Sequence, residues 1–319
     1  MNIPKIIDKN YYFGLDTLRA LSLMLVVLSH IFFNDGSVID KLHLGAIGVD
    51  VFFVISGFLI TALICKELAI KGEFNLKSFL IRRAFRILPV VCMFSVVLIS
   101  LNFIYNLNLS FISIASGLLF VKNLPFFEGI WENGHLWSLS VEEQFYIIFP
   151  VGIYVIGTKR YLWTLCALLF IIPYFSFWYY DLIIAPGVLH DIIGVLTNLL
   201  GMGTYMIIIG SIGALLLFKR PSIFDFVFGI KNKSLISAAL FFLVILVSTP
   251  LMNLSYIPNF LYKIFLGISV LIIILINISA ERKNLLFWDN PLLVYFGKLS
   301  YSLYIWQQLF THNQPWGGG

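Results

Sequence analysis

The chain has 319 residues, 60% hydrophobic and 12% charged, with a mean hydropathy of +0.95; soluble domains carry roughly 25% charged residues, so a water-solvated globule is excluded and lipid is the required solvent. The net charge of +5 and pI near 9.0 would suit a nucleic-acid binder, but in a membrane protein basic residues set topology, and their placement accounts for the excess without nucleic acid. Cys65, Cys92 and Cys166 lie in or beside apolar runs without C-x-x-C spacing, so they read as small core residues, with no disulfide framework and no zinc site.

Apolar runs at about residues 14–33, 45–65, 87–107, 137–157, 161–180, 199–218, 234–252, 260–280 and 291–310 each approach the roughly 20 residues of a bilayer-spanning helix. They predict an all-α, polytopic transmembrane helix bundle of nine spans. The weaker run Phe111 to Phe120 is too short to cross and reads as a re-entrant or interfacial piece. With the N-terminus inside, 16 of the 21 Lys and Arg fall on the cytoplasmic side, and only Lys41, Lys122 and Lys263 fall outside. No repeat, low-complexity tract or linker divides the chain, so residues 1–319 read as a single membrane domain.

The first run carries Asp16, Arg19 and His30 and no cleavage site, so it is expected to remain as a helix and not be removed as a signal peptide. Arg19 and His30, eleven residues apart, return to nearly one helical face about 16 Å apart. Asp16 can pair with Arg19 from three residues earlier, and a structural Asp-Arg pair is one reading of that arginine. In the second run Asp50 lies about five residues inside the outer end, and in the fourth Glu142 and Glu143 lie five or six inside. All these groups are thus expected at the depth of His30. A carboxylate beside an imidazole fixes its tautomer and raises its basicity, as a general base needs; the competing reading is a structural polar knot. On the inner side Arg82, Arg83 and Arg86 precede Pro89, where the third span is expected to begin. They read either as a positive-inside flank or as an anion clamp, Arg83 and Arg86 lying three apart on one face.

Five segments in order resemble the acyltransferase-3 family of bacterial polytopic membrane acyltransferases, which modify O-antigens of lipopolysaccharide, exopolysaccharides and related glycans. They are Gly14-Leu15-Asp16-Thr17-Leu18-Arg19-Ala20 with His30 at R-x10-H spacing, Gly48-Val49-Asp50 through Ser56-Gly57-Phe58, and Arg82-Arg83-Ala84-Phe85-Arg86-Ile87-Leu88-Pro89 with its R-x-x-R. The others are His135-Leu136-Trp137-Ser138 through Glu142-Glu143-Gln144-Phe145-Tyr146, and Gly297-Lys298-Leu299-Ser300-Tyr301 through Tyr304-Ile305-Trp306. The resemblance implies that the R-x10-H pair is essential, that the R-x-x-R arginines serve the acyl donor, and that acetyl-coenzyme A is the usual donor. Family members usually carry ten helices with both ends cytoplasmic in the bacterial inner membrane, so this chain is expected to lack the last one. Where many relatives have His-Trp after Tyr-Leu-Trp, this chain has Gln307-Gln308 after Tyr304-Ile305-Trp306, and no acceptor role carries over to that position.

The resulting expectation is acyl transfer from cytoplasmic acyl-coenzyme A to a hydroxyl of an O-antigen, exopolysaccharide or lipid-linked sugar. Arg19, Arg82, Arg83 and Arg86 would serve the donor. His30 would act as base, or carry the acyl group, with Asp50 or Glu142 holding its ring; Glu142 is preferred over Glu143, which lies about 100° away on a helix. No metal is expected. A polytopic transporter of a small anionic or sugar-like solute is the rival reading, since buried ionisable groups also form relays and gates, although the chain has no internal repeat. A non-catalytic scaffold would leave His30 and the arginines without a reason.

Overall fold

The computed structural model describes residues 3–4, 6–7, 12, 14–124, 126–127, 130–181, 194–196, 203–248, 259–281, 285–311 and 314–316. Among these residues there is no strand. The helices are α1 (Leu15–Ile31), α2 (Val38–Lys41), α3 (Leu44–Lys71), α4 (Leu76–Tyr105), α5 (Phe111–Leu118), α6 (Trp131–Gly134), α7 (Leu136–Asp181), α8 (Thr204–Lys219), α9 (Asp225–Phe228), α10 (Lys233–Ser248), α11 (Asn259–Ser279) and α12 (Pro291–Trp306).

Among the described residues four segments are long and apolar enough to cross a bilayer: Leu44–Lys71, Leu76–Tyr105, Trp131–Ile172 and Leu261–Ser279. The pair Thr204–Lys219 and Pro221–Phe228, bent by 118°, adds a fifth if it forms one span. The sequence count of nine rests on apolar runs, several of which form shorter helices: α1 has 17 residues, and α8 and α12 have 16 each, while residues 249–252 of the run at 234–252 lie outside the described residues. The runs at 137–157 and 161–180 share the one element α7, which is interrupted at Gly157 with φ 73° and ψ 154°. There the chain doubles back. Phe149 and Tyr161, about 18 Å apart along a straight helix, stack edge to face with ring centroids 5.0 Å apart.

The chain divides into two compact units, Met1–Phe74 with Met206–Leu303 and Asn75–Tyr205 with Tyr304–Gly319. In the first, small residues bring helix backbones together, as in membrane bundles where close packing replaces the hydrophobic drive. A Cβ on Gly57 of α3 would lie 2.0 Å from the Ile207 carbonyl oxygen of α8, and one on Gly210 would lie 2.2 Å from that of Val54. Ser211 Oγ donates across the same crossing to the Gly57 carbonyl at 3.2 Å. Gly45 and Gly48 of α3 abut Ser29 and Val26 of α1, which makes those helices antiparallel. Gly297 of α12 rests on the Asp16 carbonyl. Buried side-chain hydrogen bonds complete the unit, with Thr17 Oγ1 donating to the Trp288 carbonyl at 2.7 Å and Ser237 Oγ to Asn277 Oδ1 at 3.1 Å.

In the second unit α4 starts at a side-chain cap, Asn75 Oδ1 accepting from the Ser78 amide at 2.9 Å, and it runs without a break through Pro89. The third span therefore does not begin at that proline. The arginines, expected to precede the span, stand inside the same 30-residue helix. Phe111–Leu118 forms a helix of 8 residues, too short to cross, as its length in the sequence implies. Of the cysteines only Cys65 is buried, while Cys92 is exposed, so the reading of all three as core residues is corrected for Cys92.

Candidate functional site

In the first unit, α1 carries Arg19 and His30, both half-buried. The expectation that Asp50 lies level with His30 is corrected by the α1–α3 register. Because Gly45 faces Ser29, His30 lies level with residue 44 of α3, and Asp50 sits six residues deeper, about 9 Å along the axis. Its carboxylate is 5% exposed and accepts from Lys263 Nζ of α11. An ionised group in the membrane interior persists when paired, and this pair lies between helices 213 residues apart in sequence. The sequence reading placed Lys263 among the exterior topological charges; nothing local in the sequence signals its partner.

In the second unit, α4 buries the stripe Phe79, Ile87, Val91, Phe94 and Leu98. Arg83, four residues from Phe79 and from Ile87, falls on that stripe and is half-buried, whereas Arg82 and Arg86 are exposed. The guanidinium lies 4.2 Å from the centroid of the Tyr146 ring of α7 and 5.7 Å from that of Phe79. Among the described residues it makes neither a hydrogen bond nor an ion pair. A guanidinium that sits over an aromatic ring while its N–H fork remains unspent can donate to an anion.

Tyr146 is 3% exposed, and its hydroxyl donates to Glu142 Oε1, one helical turn back on α7. The neighbouring Glu143 has a buried Oε1 without a hydrogen-bond partner and lies within electrostatic reach of both Arg83 and Arg86. The expected separation of inner arginines from outer carboxylates is therefore not what α4 and α7 display. The arginines stand on the helix itself, so α7 meets them with its carboxylate turn. Arg83, Tyr146 and Glu142 form one chain of contacts.

A further polar cluster joins two motifs far apart in sequence. His135, 4% exposed, places Nε2 2.9 Å from the Ile305 carbonyl, and because a carbonyl only accepts, that nitrogen carries a proton. Ser138 Oγ and the Tyr304 hydroxyl lie 2.6 Å apart, and that hydroxyl also donates to the His135 carbonyl at 3.2 Å. Lys122, read from sequence as an exterior charge, is 4% exposed and donates to Ser113 Oγ at 2.7 Å. Among the described residues no three His, Cys, Asp or Glu side chains converge as a metal site.

Comparison with known proteins bears on this arrangement. A family described as an acyltransferase domain matches residues 12–313. A protein of Staphylococcus aureus strain COL, provisionally named an O-acetyltransferase, is 33% identical over 93% of this chain and 50% of its own length. A counterpart with the same provisional name in strain MSSA476 matches equally. The O-acetyltransferase OatA of strain NCTC 8325 is 32% identical over 47% of this chain and 26% of its own length. The chain thus spans about half the length of the curated relatives it matches over most of its length. No solved structure matches it significantly. With its apolar helices, its R-x10-H pair on α1, its R-x-x-R on α4 and a family match that covers nearly every residue, this multi-pass membrane chain belongs to the acyltransferase-3 family.

Proposed function

We propose that the chain transfers an acyl group, acetyl in the simplest case, from coenzyme A on the cytoplasmic side to a hydroxyl of a cell-surface or lipid-linked glycan, with its N-terminus cytoplasmic in the bacterial plasma membrane. One observation carries the donor half of this reading. The Arg83 guanidinium carbon lies over the Tyr146 ring with its donors uncommitted, and a planar fork of this kind suits the phosphates of a nucleotide thioester. Arg86, exposed one turn further on, adds a second cation, and Arg82 a third. Arg19 favours the approach of the anionic donor.

His30 is the base. It takes the proton of a sugar hydroxyl as the oxygen attacks the thioester carbonyl carbon; the C–S bond then breaks, and the coenzyme A thiolate leaves and recovers the proton. The acceptor keeps the acyl group as an ester. Glu142, tied to Tyr146, supplies negative charge against Arg83. Asp50 is assigned to Lys263 as its structural partner, because their contact accounts for a buried carboxylate and a half-buried ammonium. The S. aureus relatives named O-acetyltransferases support an oxygen acceptor.

The deciding experiment is mass analysis of surface glycans from cells with and without the gene, combined with titration of the purified protein with acetyl-coenzyme A. A loss of 42 Da per modified residue, about the mass of an acetyl group replacing hydrogen, together with saturable donor binding, is the expected result. Unchanged glycans or no donor binding would overturn it.

A further inference from the structure

We infer that Tyr146 is a positioning residue with two separable jobs: its ring presents Arg83 to the acyl donor, and its hydroxyl orients Glu142. The inference rests on the donor role proposed for Arg83. Tyr146 is buried on α7, its ring face lies 4.2 Å from the Arg83 guanidinium, and its hydroxyl donates to Glu142 Oε1. One side chain therefore connects a cation whose hydrogen-bond donors are uncommitted to a carboxylate whose Oε1 accepts from its hydroxyl.

The two contacts use different parts of the tyrosine. Cation–π attraction depends on the ring and survives loss of the oxygen. The hydrogen bond depends on the oxygen alone, and without it Glu142 loses the donor to its Oε1. Burial of an aromatic ring at this position would also be explained by packing, since Phe145 and Phe149 stack beside it on the same helix at 4.8 Å. Packing alone, however, gives the hydroxyl nothing to do. It also predicts that Phe is a neutral replacement.

The effects separate in the complete protein. Each variant is purified and titrated with acetyl-coenzyme A, and cells carrying it in place of the wild-type gene are assayed for alkali-released acetate from surface glycans, normalised to folded protein by thermal unfolding. Tyr146→Phe is expected to keep the donor Kd within about twofold and to lower acetate output at least about tenfold, because binding and turnover draw on different groups. Tyr146→Leu is expected to raise the donor Kd at least about tenfold as the guanidinium loses its platform, and Tyr146→Trp to restore it. Wild-type output from Tyr146→Phe, a raised Kd in that variant, or a wild-type Kd in Tyr146→Leu overturns the inference. If Tyr146→Leu does not fold, the Phe variant decides alone, since it removes one oxygen and leaves the ring. Arg83→Lys serves as the separate control: a wild-type Kd there overturns the donor reading itself, whereas a weakened Kd there with no split at Tyr146 overturns only the role of the tyrosine.

Discussion

The two units treat buried charge in opposite ways. In the first, Asp50 and Lys263 neutralise each other between α3 and α11, in a body held together by glycine-mediated helix contacts. In the second, Arg83 is set against an aromatic ring with its donors unspent, one side chain away from Glu142. A closed pair has already gained the electrostatic stabilisation available to it and has little left for a ligand. A cation whose hydrogen-bond donors are unspent, even with carboxylates within electrostatic reach, can still donate to an arriving anion. The contrast distinguishes a charge pair closed on itself from a cation whose hydrogen-bond donors are left open, which neither residue type nor depth in the sequence can do.

The largest effect is expected where charge is to be moved during the reaction itself. His30→Ala should leave expression and membrane insertion intact and lower glycan acylation at least about a hundredfold, the lower range for loss of a general base. His30→Gln should be nearly as poor, because an amide accepts a hydrogen bond but does not take up the proton at neutral pH. Acetate output per folded protein measures both. Substantial acylation by a well-expressed His30→Ala protein would place His30 among the structural charges and would remove the contrast on its catalytic side.

The second test breaks the closed pair. Lys263→Met leaves the Asp50 carboxylate buried alone and should destabilise the first unit by about 3–5 kcal/mol, whereas Asp50→Leu with Lys263→Met removes both charges and should recover most of that loss. Thermal or denaturant unfolding in detergent reads the difference. If the double variant is as stable as wild type yet inactive, the pair belongs to the reaction and not to the fold.

Much of the framework is legible in the sequence, and what is not has physical causes. Apolar runs give the helices, since lipid leaves the backbone no other way to satisfy its hydrogen bonds. Motif glycines 48, 57 and 297 read as signature residues, but only the structure shows them as helix contacts, because the partner backbones come from distant sequence. The Asp50–Lys263 pair is hidden for the same reason. Arg83 was within reach: its four-residue spacing from Phe79 and Ile87 puts it on the buried stripe, and Tyr146 stands at helical spacing from Glu142. Both signals are obscured if the span is taken to begin at Pro89, since the arginines then read as a flank and not as part of the buried stripe. The fold-back at Gly157 is legible as the break between two apolar runs, where Lys159 and Arg160 stand.

The third test grades the arginines against one another. Arg83→Lys keeps the charge but loses the stacked fork and should weaken acetyl-coenzyme A binding about tenfold, with Arg86→Lys weaker in effect and Arg82→Lys close to wild type. The order follows their burial: Arg83 is half-buried against Tyr146, and the other two are exposed. Equal effects at all three positions would mean that the cluster acts by net charge alone, and the contrast between the units would then not depend on how Arg83 is held.

The smallest effect is expected at the start of α4. Asn75→Ala removes the side-chain acceptor of the Ser78 amide and should cost about 1 kcal/mol, the usual value for an N-cap. Arg83 lies two turns further on, anchored by Phe79 and Tyr146 rather than by the cap. Fraying of the first turn should therefore leave donor affinity within about twofold of wild type, because the effect of a cap fades beyond the first turn. Calorimetric titration with acetyl-coenzyme A beside a thermal unfolding curve separates the two quantities. A large loss of affinity with only a small loss of stability would show that the arginine takes its position from the helix start, and that the aromatic platform is not what holds it ready for an anion.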